Sequence, residues 1–515
     1  MPVTQWFLSS RERANPSTRL DTRHPDGSAW TEGNLVCPLI HGATYFAELY
    51  RRVSQMRDGD LLMFVDWRGD HDERLTVNPG TEVGKVFAAA ARRGVDVRGL
   101  LWRSHWDHLN FSAKENRRLG DEINDAGGQC LLDMRVRTGG SHHQKFVILR
   151  HHERPDLDIA FLGGIDLCHG RRDDASHRGD PQRQPMAAVY GSRPPWHDVQ
   201  LAISGPAVGD VETVFRERWE DPRALSRSPL NWLEDRVRHD NPARSPLPAQ
   251  HQDPEPAGPH AVQLLRTYPR SVGGYSFAPR GERSVARGYT KAVNQARQLI
   301  YIEDQYLWSP EVAAMFVAAL HRNLALHLIA VLPHFPDQDG RISRPPNLVG
   351  RDRAIATRRQ AAPERVAFYG LESPDGIPVY VHAKVCIIDD AWASVGSDNF
   401  NRRSWTHDSE LSAAVCESEY AITLRLDLAR EHLDRLGPLD ELRDPVTAFT
   451  AFADSATELQ HWYDDGCHGD RPPGRLRPIR DETLTRFTRA WATPLYHLLY
   501  DPDGRPLKMR LQKAF

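Results

Sequence analysis

The segment Val381–Asn399, VHAKVCIIDDAWASVGSDN, holds the deciding pattern. His382 and Lys384 open an apolar run that ends at Asp389, and Gly396, Ser397 and Asn399 follow a second apolar run. Residues i and i+2 of a strand face the same side, so one strand would project an imidazole and an ammonium together. A second copy lies upstream: SHHQKFVIL places His143 and Lys145 before an apolar strand, and IAFLGGID follows with Gly163, Gly164 and Asp166. Each half then offers an acid entering an alternating strand, Asp198 in PWHDVQLAI and Glu410 in HDSELSAAV. A repeated pattern is stronger than either copy alone.

Working outward, strand-like runs (LLMFVDW, DVRGLLW, CLLDMRV, FVIL, IAFLGG, VQLAI) alternate with helical patterns such as GKVFAAAARRG and VETVFRERW, the signature of an α/β lobe. A second series of the same kind runs from AVQLLRTY to ELSAAVC. The predicted fold is α/β with two pseudo-symmetric lobes, each a mixed β-sheet flanked by helices, and the active site at the lobe interface. The expected domains are a loosely ordered lead-in (1–30), an N-terminal lobe (31–237), a Pro-rich connector (238–260), a C-terminal lobe (261–420) and an extension (421–515) packed on the second lobe.

With 66 Lys and Arg against 69 Asp and Glu, the net charge of -3 does not announce a nucleic-acid binder. The first residues lack a secretory signal pattern, and no apolar run approaches the roughly 18 residues a membrane span needs. No amphipathic anchor is legible either. Six cysteines form no Cys-x-x-Cys pair, and Cys168, Cys386 and Cys416 sit in apolar runs as buried hydrophobes would. A reducing cytoplasm is the expected location, with peripheral membrane contact. HHQK, RHHE and WHD lack the His-x-x-x-His or Cys-x-x-Cys spacing of local metal sites, so neither a metal nor another cofactor is expected.

Two His-x-Lys pairs brought face to face would supply two imidazoles for covalent and acid/base catalysis and two lysines for a phosphate's anionic oxygens. A carboxylate behind each ring would fix its tautomer, with Asp198 expected on His143 and Glu410 on His382. Gly164 would let the backbone approach the ligand, and Ser397 and Asn399 would donate hydrogen bonds to it. Trp67, Arg68, Glu303 and Gln305 follow strands and are candidate pocket residues, while His142, His151, His152, His169 and His197 read as structural.

The spelling His-x-Lys, four residues, Asp, six residues, Gly-Ser-x-Asn resembles the phospholipase D superfamily at every position. GGIDLCHGRRD, PWHDVQLAISGPA and LIYIEDQYLW look more particularly like segments of eukaryotic phosphatidylcholine-cleaving phospholipases D, and the resemblance spans roughly residues 35 to 415. It implies that His143 attacks phosphorus to form a phosphohistidine and that His382 protonates the leaving alcohol, then activates water or another alcohol. It also implies that Lys145, Lys384 and Asn399 hold the phosphate, with Asp166 at the place matching Asn399 and Asp389 completing the motif. The expected partner is a phospholipid met transiently at a membrane surface by a monomer, in preference to nucleic acid. Cardiolipin synthase-like phosphatidyl transfer, a nuclease and a lipid-binding pseudoenzyme are the alternatives. The first copy departs from the pattern where Arg150 replaces the motif aspartate, with Asp156 or Asp158 expected to substitute.

Overall fold

Alternation along the strands sets the layering. In the computed structural model, which describes residues 2–104, 113–238, 243–480, 484–512 and 514–515, Met63, Val65, Phe146 and Ile148 face one core while Leu62, Phe64, Val147 and Leu149 face another. Tyr301, Val385 and Ile387 share the first of these cores, and Ile300, Ile302, Cys386 and Ile388 face a third. One central core therefore lies between two sheets, each covered by helices on its outer side. All the expected site residues are among those described. Parts of the connector (239–242) and the tail (481–483 and 513) are not.

The first lobe contains β1 (Thr31–Ile40), β2 (Leu61–Asp66), β3 (Asp96–Trp102), β4 (Gln129–Asp133), β5 (Phe146–Arg150), β6 (Ile159–Gly163), β7 (Trp196–His197) and β8 (Val199–Ser204). Its sheet runs β1-β8-β6-β5-β2-β3-β4, parallel only along β2-β3-β4. The second contains β9 (His260–Tyr268), β10 (Glu282–Arg283), β11 (Leu299–Glu303), β12 (His327–Val331), β13 (Val366–Glu372), β14 (Pro378–Val381), β15 (Val385–Ile388), β16 (Trp392–Gly396), β17 (Glu410–Cys416) and β18 (Leu476–Pro478). Its sheet runs β9-β17-β16-β15-β11-β12-β13, the same order and the same pattern of directions. The two pseudo-symmetric lobes meet where β1 pairs with β9.

Two helices fill the central layer. Ala207–Trp219 is buried at every residue, and Ser418–His432 is its counterpart in the second lobe. A lobe boundary at residue 420 would cut that second helix, so the second lobe continues through it. The tail then adds β18 to the edge of the second sheet and packs Phe452 and Ala456 into the central core.

Residues 2–30 differ from the expectation of a loose lead-in. Trp6, Phe7 and Leu8 are buried on the second lobe, and the Gln263 side chain bonds both the amide and the carbonyl of Leu8 at 2.8 Å. Arg13 enters the interior, with Nε 2.8 Å from Asp21 and Nη1 3.0 Å from Glu282. The polar composition of this stretch reflects buried ion pairs. Arg13→Ala would strand Asp21 and take from Glu282 one of its two arginines, and chemical denaturation should show about 3–5 kcal/mol less stability. A loss below about 1 kcal/mol, the scale of an exposed pair, would mean that the strap is not anchored this way.

Candidate active site

His143 and His382 each stand three residues before a strand, β5 and β15. Each segment makes a short parallel contact with the other lobe: His142 bridges to Ser409, and Val381 pairs with His197 in the β14–β7 contact. The His143 N–H donates to the Ser409 carbonyl at 2.9 Å, and the His382 N–H donates to the His197 carbonyl at 2.7 Å. The residues following these acceptors are Glu410 and Asp198.

The carboxylates are consequently exchanged relative to the sequence expectation. Nδ1 of His143 lies 2.9 Å from Glu410 Oε2, and Nδ1 of His382 lies 2.7 Å from Asp198 Oδ2. The cause is spacing. Within its own sheet the strand carrying the acid is separated from the His-x-Lys strand by one intervening strand, β6 or β16, which sets them roughly 9–10 Å apart. The opposite lobe's His-x-Lys segment instead abuts the acid directly. Each carboxylate accepts the Nδ1–H and leaves Nε2 with its lone pair.

Burial, reinforced by Lys145 and Lys384, holds the His143 ring well below the ordinary imidazole pKa; His382 is lowered by burial and by Lys384, Arg171 and Lys145. Each ring thus lies in the field of both ammonium groups. Lys145 Nζ donates to the His143 carbonyl at 2.9 Å, and Lys384 Nζ donates to the His382 carbonyl. Burial lowers Lys384 to about 8, and burial together with Asp408 raises Glu410 to about 8. Aromatic walls complete the pocket: Trp67 meets His143 at a ring separation of 6.0 Å and lies 5.8 Å from the Lys145 ammonium, while Trp196 lies 4.9 Å from His382. Arg171, 3.7 Å above Trp196, was not singled out in the sequence, although it stands in the quoted GGIDLCHGRRD segment.

Three residues, Ser397, Gly164 and Asp166, have surroundings unlike those expected. Ser397 donates to Glu410 Oε2 at 2.5 Å and accepts from the Leu411 N–H, so its hydroxyl is committed to the orienting acid. A Cβ on Gly164 would collide with the Asp198 carboxylate; this glycine makes room for an acid, as Ser397 meets one in the other lobe. Asp166 lies 3.4 Å from Lys145 and is held ionised against burial mainly by that lysine, so it offsets the ammonium's charge and would repel a phosphate. Asp389 stands at the far end of β15 from His382, accepting the amides of Arg297, Gln298 and Leu299 at 2.6–2.9 Å. It braces the start of β11. Asn399 is buried, and its Oδ1 accepts no hydrogen bond.

Arg150 occupies the register of Asp389. Neither Asp156 nor Asp158 takes over: Asp156 is exposed, and Asp158 pairs with Arg150 at 3.1 Å. The bracing is reversed across the strand pair, because Asp60, just before β2, accepts the His152 and Arg57 amides at 3.0 and 2.8 Å.

Double-mutant cycles on unfolding free energy should give couplings of about 1–3 kcal/mol for His143/Glu410 and His382/Asp198, the scale of a hydrogen bond to a charged group. The same-lobe pairs His143/Asp198 and His382/Glu410 should couple by less than about 0.5 kcal/mol, and the reverse ranking would refute the exchanged pairing.

Comparison with known proteins agrees with this architecture. The family model described as Phospholipase D matches residues 71–331, just over half of the chain, and the model described as Cardiolipin synthase, PLD-like domain, matches residues 289–430. Phospholipase D alpha 1 of Cynara cardunculus is 26% identical over 74% of this chain and 62% of that protein. Its namesake in Oryza sativa subsp. japonica is 26% identical over 85% of this chain and 69% of the relative. The chain thus spans 62% of the length of the first of these plant relatives. The phosphatidylserine synthase of Haemophilus influenzae shares the fold with a TM-score of 0.52 at 12% identity, covering 84% of this chain and 93% of that one. With the Phospholipase D model covering more than half of its residues, the chain belongs to the phospholipase D superfamily.

Proposed function

We propose that the chain is a phospholipase D-type phosphodiesterase acting on glycerophospholipids, with His143 as nucleophile and His382 as acid and base. The observation that carries this reading is the pair of imidazoles, each with a carboxyl group from the opposite lobe at its Nδ1, whose rings both lie in the field of Lys145 and Lys384. Nε2 of His143 attacks phosphorus, the ester oxygen leaves with a proton from His382 Nε2, and a phosphatidyl-histidine remains. Water or an alcohol then gives its proton to His382, bonds to phosphorus and expels His143. Phosphatidic acid forms with water and a new phosphodiester forms with an alcohol.

Burial is the first cause that keeps His382 deprotonated and the Lys384 and Lys145 charges add to it; a phosphate entering between the ammonium groups would offset those charges and so favour the protonated ring. Lys145, Lys384 and the Asn399 amide would hold the non-bridging oxygens. His143, the more exposed ring, suits the nucleophile: its side chain is 15% exposed, against 6% for His382. Transfer to an alcohol is a second reading of the same residues, favoured by the cardiolipin synthase-type match that includes His382 and Lys384.

Among the described residues, no helix is long and apolar enough to cross a membrane. Contact with lipid would instead use short elements. The helix Pro229–Arg238 exposes Leu230, Trp232, Leu233 and Val237 and is tied by Arg103 to the end of β3, beside Trp102, which stacks on Trp67. This is an amphipathic element that the sequence reading did not find.

Phosphatidylcholine vesicles with added ethanol should yield phosphatidylethanol, and His143→Ala and His382→Ala should each lower turnover by at least about 10³-fold without loss of fold. Near wild-type rates in either variant would refute the assigned roles. The rate kcat/KM requires protonated Lys384, whose proton is lost above about pH 8. A decline above that pH is the expected outcome, and a rate still rising at pH 9–10 would contradict the lysine's role.

A further inference from the structure

Three buried histidines and a half-buried glutamate from scattered parts of the sequence converge beside this pocket: His41 before the helix Gly42–Ser54, His177 in the loop between β6 and β7, His197 in β7, and Glu431 in the last turn of Ser418–His432. Glu431 Oε2 lies 2.6 Å from His41 Nε2, and Oε1 lies 2.8 Å from His177 Nε2 and 3.3 Å from His197 Nδ1. One nitrogen or oxygen from each of the four falls within 4.8 Å of the others. We propose that His41, His177, His197 and Glu431 bind one divalent transition metal, with zinc the best fit, and that the ion joins the two lobes next to Asp198.

Ring geometry supports this. With zinc about 2.0–2.1 Å from each nitrogen, imidazole centroids lie about 3.2 Å from the metal, and two rings at the tetrahedral angle stand about 5.2 Å apart. The three rings here are separated by 5.0, 5.1 and 5.9 Å. Three imidazoles and one carboxylate form a closed four-ligand set of the nitrogen and oxygen type that zinc accepts.

The outer contacts point the same way. His197 Nε2 lies 2.7 Å from Glu303 Oε2, so that nitrogen carries the N–H. Its Nδ1 lies 3.3 Å from Glu431 Oε1, a spacing that calls for a metal ion or a shared proton between the two. Glu303 is itself fixed by the Tyr301 hydroxyl at 2.6 Å and by His432 Nε2 at 2.7 Å. His177 has a looser counterpart, with Nδ1 3.5 Å from Asp173 Oδ2 and not hydrogen-bonded to it. A carboxylate behind a metal-bound imidazole is the common way of fixing its tautomer and orientation. The sequence gives no local warning, because the ligands are separated by 136, 20 and 234 positions rather than by helix or knuckle spacing. A proton shared between His197 and Glu431 is the rival occupant.

The site would act on catalysis by position. His197 precedes Asp198, and its carbonyl holds the His382 amide. Three ligands belong to the first lobe and one to the second, so the ion would fix the placement of β7 against β14.

The test is elemental analysis of the full-length protein purified without chelator from zinc-supplemented medium, followed by exchange into cobalt. The expected result is about one zinc per chain and the intense visible absorption of tetrahedral cobalt. His41→Ala and Glu431→Gln should abolish both signals, and Glu303→Gln should weaken zinc binding by about 10–100-fold. Wild-type protein that is folded, free of metal and unable to take up cobalt would overturn the proposal by itself, even if a variant failed to fold. So would zinc retained at the wild-type level in both ligand variants, since the ion would then lie elsewhere.

Discussion

The structure depends on a hydrogen bond made twice across the lobe boundary, from the Nδ1–H of each reactive imidazole to a carboxylate of the opposite half. The two contacts, 2.9 and 2.7 Å long, are buried, and each is accompanied by a backbone bond one step away. An imidazole without such an acceptor is free to rotate and to place its proton on either nitrogen. With it, each ring directs a bare Nε2 into the pocket. Neither lobe contains a complete set, since each supplies one ring and the acid for the other.

This explains the arrangement around the site. The lobes must be held in register, and the central layer does so through charges buried deeply enough to be intolerant of displacement. Arg218 of the central helix reaches Asp133 at 2.7 Å and the Ser409 hydroxyl at 3.1 Å, touching the residue whose carbonyl receives the His143 amide. Arg266 of β9 joins Glu217 of the same helix to Glu282. Such pairs add little net stability over a well-packed apolar core, but breaking one leaves an uncompensated charge, so they strongly favour one relative placement.

The sequence revealed what depends on local spacing. His-x-Lys pairs, glycines at strand ends and alternating strands are short-range patterns, and the duplicated lobes could be read from them. What it concealed depends on contacts between distant segments. The partner of each imidazole was assigned within the wrong lobe because order along the chain does not reveal that β6 and β16 intervene. Ser397 and Gly164 were read as facing a ligand, although each accommodates a carboxylate, Glu410 or Asp198. Residues 2–30 looked loose because Arg13 finds Glu282 only 269 positions later. The motif aspartate absent at Arg150 has its counterpart at Asp60, just before the neighbouring strand, where no linear motif would search for it.

The shared strand order has a historical consequence. Two halves with identical topology that finish each other's catalytic apparatus have the layout of a symmetric dimer whose subunits were later fused. In such a dimer every substitution would be expressed twice, once on each side of the axis. Fusion removes that restriction and lets the halves specialise, as the exchange of Arg150 and Asp60 for the arrangement at Asp389 illustrates. It does not free them from each other, because a change at one acid is selected through the ring it serves in the other half.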